Sequence, residues 1–169
     1  MTGVQTCALP ISPQRINLQS WLTGIANGFY ERAQSREQAL SILLPEDLPH
    51  IISDQASLER VFAELLNNAC KYTPPGETIS VSAIAQSNDQ LLVTIANSGV
   101  EIPEAEIPRI FDKFYRVPSS DPWKQGGTGL GLALVQKLLL HIGGQIAVTS
   151  KSSQTAFNIT LPININLAI

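Results

Sequence analysis

Four short segments carry residues whose types and spacing suit them to phosphate or purine chemistry. Glu64, Asn68 and Lys71 stand at i, i+4 and i+7. At about 100° per residue this sets a carboxylate, an amide and an ammonium along one helix edge. The carboxylate can orient water, the amide oxygen can ligand Mg²⁺, and the ammonium can meet phosphate. The same spacing also suits a solvated edge, with Glu64 bonded to Asn68 and Lys71 laid along the surface. The run Gly126-Gly127-Thr128-Gly129-Leu130-Gly131-Leu132 leads straight into an apolar stretch. Glycines let backbone N–H groups approach a phosphate, a helix N-terminus adds partial positive charge, and Thr128 adds a hydroxyl donor. The run is neither a dinucleotide fingerprint nor a P-loop, and a plain glycine hinge reads the same way. Asn97-Ser98-Gly99-Val100-Glu101-Ile102-Pro103 closes a strand. There the Asn97 amide oxygen can accept from an adenine amino group, or the segment is a simple turn. Finally, Arg109 to Arg116 interleaves Phe111 and Phe114, which can pin a loop, with the cations Arg109, Lys113 and Arg116. A surface basic cluster with packed aromatics is the alternative.

These segments need elements to position them. Leu22, Ile25, Ala26, Phe29 and Ala33 predict an amphipathic helix over 19–35, weakened by Gly24 and Gly28. A short strand is expected near Ile16 to Leu18, and Leu40, Ile42 and Leu44 alternate as a strand ending at Pro45. The helix carrying Glu64 is predicted over 55–72, capped by Asp54 or Ser57 and stopped by Pro74-Pro75-Gly76. Its apolar arc is Leu58, Val61, Phe62, Leu65, Leu66 and Ala69. Ile79, Val81, Ala83 and then Leu91, Val93, Ile95 flank the turn residues Ser87-Asn88-Asp89, which predicts an antiparallel hairpin. Residues 100–127 form a long, mostly irregular excursion with one helical patch at 109–114, and such loops usually serve function. A buried helix over 130–142 ends at Gly143-Gly144. A last hairpin follows, with Ile146 and Val148 opposite Phe157, Ile159 and Leu161. The class is α+β, with helices covering one face of a mostly antiparallel sheet.

Composition agrees with one globular unit. The chain has 169 residues, 44% of them apolar and 15% charged, and a net charge of −3. That excludes disorder, a disulfide scaffold and a basic nucleic-acid-binding surface, and no apolar run approaches the roughly 20 residues needed to span a bilayer. Cys7 and Cys70 make no metal knuckle, and their usage fits a reducing cytoplasm. Met1 to Ile11 resembles the conceptual translation of a sequencing adapter, so the domain is expected over 12–162, with 163–169 a tail and residues native to the protein lost ahead of Ser12.

In order and spacing, the four segments closely resemble the ATP-binding domain of two-component sensor histidine kinases, over about Pro13 to Leu161. Glu64 to Tyr72 resembles the N box, Asn97 to Pro103 the G1 box, Arg109 to Arg116 the F box, and Gly127 to Leu132 the G2 box. The F box separates histidine kinases from the related gyrase, MutL and Hsp90 ATPases. The resemblance implies a two-layer α/β sandwich of the Bergerat (GHKL) type. ATP would lie between long helices, a mixed mostly antiparallel sheet and a lid formed by residues 100–127. It implies Asn68 as the Mg²⁺ ligand, Lys71 facing phosphate, Tyr72 near the nucleotide, and Arg116 as a lid cation. Glu64 matches a position that is Asn in many kinases and Glu in others and in relatives that hydrolyse ATP. Gly127, Thr128, Gly129, Leu130 and Gly131 match the phosphate loop. Asn97, Gly99, Ile102 and Thr155 match positions around the adenine.

Two departures stand out. The family usually has Asp-x-Gly-x-Gly in the G1 box, and here it is Asn97-Ser98-Gly99-Val100-Glu101. Asn97 keeps the acceptor oxygen but loses the charge, which weakens or alters nucleotide selectivity. Glu101 is expected to restrict the lid hinge. His50 and His141 are expected to be structural, since neither lies in a helix bearing a His-Glu or His-Asp pair. The phospho-acceptor histidine is therefore expected on an upstream dimerisation domain. The resemblance further implies a response-regulator receiver domain as partner, and a homodimeric parent protein in the cytoplasm or at the inner face of the membrane. Two other readings stay open: a nucleotide-responsive interaction module of a pseudokinase, and a stand-alone ATPase with Glu64 as the base.

Overall fold

The computed structural model describes residues 10–118 and 127–165. Cys7, Trp123, Lys124, Gly126 and the final Asn166 to Ile169 lie outside the described residues, as does most of the adapter-like segment. The elements run β1 (Pro13–Ile16), α1 (Leu18–Asn27), α2 (Tyr30–Ser35), β2 (Ala39–Leu43), β3 (Ile51–Asp54), α3 (Gln55–Tyr72), β4 (Thr78–Gln86), β5 (Gln90–Ser98), a 3₁₀ turn (Ile107–Arg109), α4 (Gly131–His141), β6 (Gln145–Lys151) and β7 (Gln154–Pro162).

Five strands form one sheet in the order β2-β4-β5-β7-β6, and β1 pairs with β3 in a separate antiparallel ribbon. Only β2 is parallel to its neighbour, β4. Parallel neighbours need a long crossover, and α3 lies in that connection. The other contacts in the sheet are antiparallel. The β4–β5 turn places Asn88 and Asp89 at positive φ, the conformation such residues tolerate best.

Alternation decides which face is covered. Ile79, Val81 and Ala83 of β4, Leu91, Val93 and Ile95 of β5, and Phe157, Ile159 and Leu161 of β7 are all buried on one side. The register aligns them in rows, Val81 opposite Ile95 and Ile95 opposite Phe157. The opposite face carries Ser80, Ser82, Thr94, Asn158 and Thr160, with the Thr94 hydroxyl donating to Asn158 at 3.0 Å. Against the apolar face lies α3, which buries Leu58, Val61, Phe62, Leu65, Leu66, Ala69 and Cys70. Each large side chain so buried contributes roughly 1.5–3 kcal/mol. Trp21 of α1 meets Phe62 edge-on, with ring centroids 5.9 Å apart. Val135 and Leu139 of α4 complete the helical layer.

The predicted helix over 19–35 is two helices. The Gly28 N–H bonds back to Gly24 and Ile25, and the chain re-enters helix only at Tyr30. Glycine at that point supplies little helical preference to bridge the break. The first strand is Pro13–Ile16, earlier than expected, because Asn17 caps α1 through an Oδ1 bond from the Ser20 N–H at 3.1 Å. β3 was not expected: four residues leave too short a pattern to read. Past Pro162 the backbone continues against β3, where the Ile52 N–H donates to Ile163 and the Ile165 N–H to Ile52.

Asp54 starts α3. Its carboxylate accepts from the Ser57 N–H at 3.0 Å and from the Ser12 N–H at 3.1 Å. Burial alone pushes this carboxyl up, yet the hydrogen bonds from Ser57 and Ser12, with the charge of His141, hold it below the ordinary carboxylate range. A lowered pKa contributes stability that is complete above the unfolded value, about 3.9, and is lost as pH falls through the folded value. Asp54→Asn keeps a capping oxygen without the charge. The stability gap between wild type and this variant is therefore expected to be present at neutral pH and to close in acid. Urea unfolding at neutral and acidic pH checks this, and a gap that widens in acid would contradict it.

Candidate functional site

The inward-facing rows of β5 and β7 change character at one end. After Leu91, Val93 and Ile95 the same face presents Asn97, and after Leu161, Ile159 and Phe157 it presents Thr155. The two are register partners. Asn97 is 5% exposed and Thr155 2%, so polar groups sit where the pattern would otherwise place core. A buried polar pair needs partners or a ligand. Thr155 has partners: its hydroxyl donates to the Val100 carbonyl at 3.0 Å and lies 2.8 Å from the Ser150 hydroxyl. Ser150 in turn accepts from the Ile102 N–H at 2.7 Å.

Both residues line a cavity of about 900 Å³, near the upper end of the size range of small-molecule sites. Its wall from α3 is Glu64, Leu65, Asn67, Asn68, Ala69, Lys71 and Tyr72. The segment after β5 supplies Val100, Glu101, Ile102 and Pro103, and the stretch before the undescribed residues supplies Ile110, Tyr115, Arg116, Val117 and Pro118. The glycine-rich run closes it with Gly127, Thr128, Gly129 and Gly131. Of the residues singled out from sequence, Gly99 and Leu130 do not line it, and neither do Arg109, Phe111, Lys113 and Phe114. Gly99 turns the chain out of β5 at φ +77, and Leu130 sits at the N-cap of α4 without a side-chain cap bond.

The α3 edge and the glycine run meet closely. A Cβ on Gly127 would lie 2.6 Å from Lys71 Nζ, and one on Gly131 would lie 2.8 Å from Glu64 Oε2. Glu64 also pairs with Arg60 through its other oxygen at 2.7 Å. The bond from Glu64 to Asn68 that the solvated-edge alternative carries is not formed. Lys71 Nζ sits 5.0 Å from the centre of the Tyr72 ring. Gly129 is the tightest point. Its φ is +73, and a Cβ there would lie 2.8 Å from the Phe114 backbone, whose N–H donates to the Gly129 carbonyl at 3.0 Å. Such contact leaves no room for a side chain and no favourable backbone state for one.

The aromatics of the 109–116 segment divide. Ile110 is buried and Phe111 packs against the core, while Phe114 is 72% exposed at φ +64. The pinning expected of Phe114 thus falls to Ile110 and Phe111. Arg109 stacks over Tyr115 at 4.1 Å, which leaves Arg116 as the cation of this segment on the cavity wall. The helical patch is a single 3₁₀ turn at Ile107–Arg109. The Glu101 carboxylate accepts from the Ser153 N–H at 3.0 Å, and the Gly99 N–H donates to Ser153 at 2.8 Å. Those bonds tether the start of the excursion to the β6–β7 turn.

The family profile described as histidine kinase-, DNA gyrase B- and HSP90-like ATPase matches residues 53–165. The chain belongs to this family. Its fold and relatives place it with the catalytic domains of sensor histidine kinases. It is 32% identical over 157 residues to the adaptive-response sensory kinase SasA of Synechococcus elongatus, covering 92% of this chain and 40% of SasA. It is 39% identical over 135 residues to the sensor histidine kinase CusS of Escherichia coli K12, covering 79% of this chain and 28% of CusS. The structure of full-length ShkA in complex with AMPPNP superposes with a TM-score of 0.81 at 25% identity, covering 95% of this chain and 33% of ShkA. The chain thus spans less than half the length of each of these relatives.

Sequence reasoning missed Arg32 of this histidine kinase-type domain. It lines the cavity from α2 and donates to the Asn67 side chain. Nothing in the spacing of 30–35 signals that contact, because it depends on how α2 turns after the break at Gly28. Cys70 faces away from the cavity wall, and burial pushes its thiol up against the opposing effect of Arg32 and Arg36. No helix among the described residues is long and apolar enough to cross a membrane.

Proposed function

We propose that this domain binds ATP in the 900 Å³ cavity and presents its γ-phosphate to a histidine on another domain. The observation that carries the reading is the convergence of Asn68 and Lys71, Asn97, and the Gly127–Gly131 loop on one cavity. Asn97 reads the base, with Ile102 beside it, and Thr155 fixes the backbone of Val100 rather than bonding outward. Tyr72 flanks the nucleotide. Lys71, Arg116, Thr128, the backbone around Gly129 and the uncapped first turn of α4 hold the phosphates.

The donor set fits a magnesium–nucleotide rather than a bare cation. Among the described residues no cluster of three His, Cys, Asp or Glu side chains can hold a metal. Mg²⁺ is commonly held by one or two protein oxygens with phosphate oxygens and water, and Asn68 supplies one such oxygen, with Glu64 one turn away. When bound, the ion neutralises phosphate charge. The chain's own residues position and neutralise: Lys71 and Arg116 face the phosphoryl group, and Glu64, fixed by Arg60, orients water or the incoming imidazole.

His50 and His141 are absent from the cavity wall. The acceptor in this reading is a histidine on a helical dimerisation domain upstream, and the phosphoryl group passes on to a response-regulator receiver domain. The test supplies that acceptor: the chain is joined behind a histidine-bearing helical dimerisation domain and given γ-labelled ATP. Label on the acceptor histidine is expected. Binding of ATP without transfer would overturn the kinase reading and favour an interaction module.

A further inference from the structure

The side-chain amide of Asn97 is the least constrained buried polar group on the cavity wall. It is 5% exposed, and no hydrogen bond fixes it among the described residues. Its neighbour differs: the Thr155 hydroxyl is fixed by Val100 and Ser150 at 3.0 and 2.8 Å. Of the two buried polar side chains at this end, Asn97 is therefore the one left to meet a base edge, since the Glu101 carboxylate is engaged by the Ser153 N–H. An amide carries an acceptor and two donors on a terminal torsion that is broad and roughly two-fold.

We propose that Asn97 makes this site accept 6-oxopurine nucleotides alongside adenine nucleotides. The inference rests on the ATP-binding reading above. Toward adenine, Oδ1 accepts from the 6-amino group and Nδ2 donates to ring N1. Toward a 6-oxopurine the pattern is reversed: O6 accepts and N1–H donates. A half-turn of the amide presents Nδ2 to O6 and Oδ1 to N1–H, so both edges are satisfied by the same side chain. A carboxylate at this position has only acceptors. It would meet the O6 lone pairs without a proton between them, and such an unpaired buried contact is costly. The donor that the Asn97 amide has and a carboxylate lacks is thus what admits a 6-oxopurine.

The test compares Mg-ATP with Mg-inosine triphosphate on the whole chain by calorimetry, in wild type and Asn97→Asp. Inosine triphosphate carries the 6-oxo edge without further substitution of the base. Wild type is expected to bind the two within about tenfold of each other, and Asn97→Asp to shift the ratio toward ATP by about tenfold or more. Wild type preferring ATP by a larger factor would overturn the proposal while leaving the ATP site intact. An unchanged ratio in the variant would overturn the role of Asn97. Binding of neither nucleotide would overturn this proposal and the ATP reading together. The wild-type ratio stands whether or not the variant folds.

Discussion

Asn68→Ala is expected to weaken Mg-ATP binding by at least about a hundredfold, near 2.7 kcal/mol, while the fold is kept. The two effects separate because of where Asn68 sits. It is half-buried on α3 and lines the cavity, while the core contacts of that helix belong to Leu65, Leu66, Ala69 and Cys70. Alanine is also the better helix former by about half a kcal/mol, so the melting temperature should hold or rise slightly. Calorimetry with Mg-ATP and a thermal melt of the same sample check both halves. Retained binding would remove Asn68 from the site. Lost binding with a lower melting temperature would mean that the residue holds the helix rather than the ligand.

Gly129→Val is the second large effect. Valine resists positive φ, and its Cβ would lie 2.8 Å from the Phe114 backbone, which is not a flexible neighbour. The backbone strain alone is of order 1–3 kcal/mol. The cheapest relief is to move the glycine run away from Phe114, which withdraws it from Lys71 and opens that end of the cavity. Nucleotide binding is expected to fall below detection. The core lies elsewhere, so unfolding should remain cooperative. Gly24→Ala is the matched control. A Cβ at Gly24 meets nothing within 4 Å, and in the helix it should add about 0.5–1 kcal/mol without altering binding. Equal nucleotide affinity in Gly129→Val and wild type would show that the run does not touch the ligand.

Much of this geometry could be read from the sequence because local rules acted alone. α3 runs over the predicted residues, since Asp54 caps it, its apolar arc fits one face and Pro74 stops it. Both hairpins follow from alternation, joined in the first to the turn residues Ser87-Asn88-Asp89. Where tertiary contact decides, local signals failed. Gly28 broke a helix whose apolar spacing ran straight through it, and β3 was invisible because four residues gain their strand character only from pairing with β1. Within the site, the α3 edge and the glycine run were legible as residue types at fixed spacing. Arg32 was not, and neither was the exchange of roles between Phe114 and Ile110. Those depend on the path of the chain after a helix break and around Gly129. Asn97 combines both: its type was plain, but its burial without a fixed hydrogen bond emerged only when β5 was paired with β7.

The cavity between α3, β5 and the glycine run is proposed to hold ATP. The most direct measurement is a two-dimensional amide correlation spectrum of the uniformly ¹⁵N-labelled chain, recorded with and without Mg-ATP. Saturable shifts are predicted at Asn68, Lys71, Asn97 and Gly127 to Gly131, with the polar face of β4 unmoved. A spectrum that does not change at millimolar nucleotide, or that changes only away from these residues, would contradict the account.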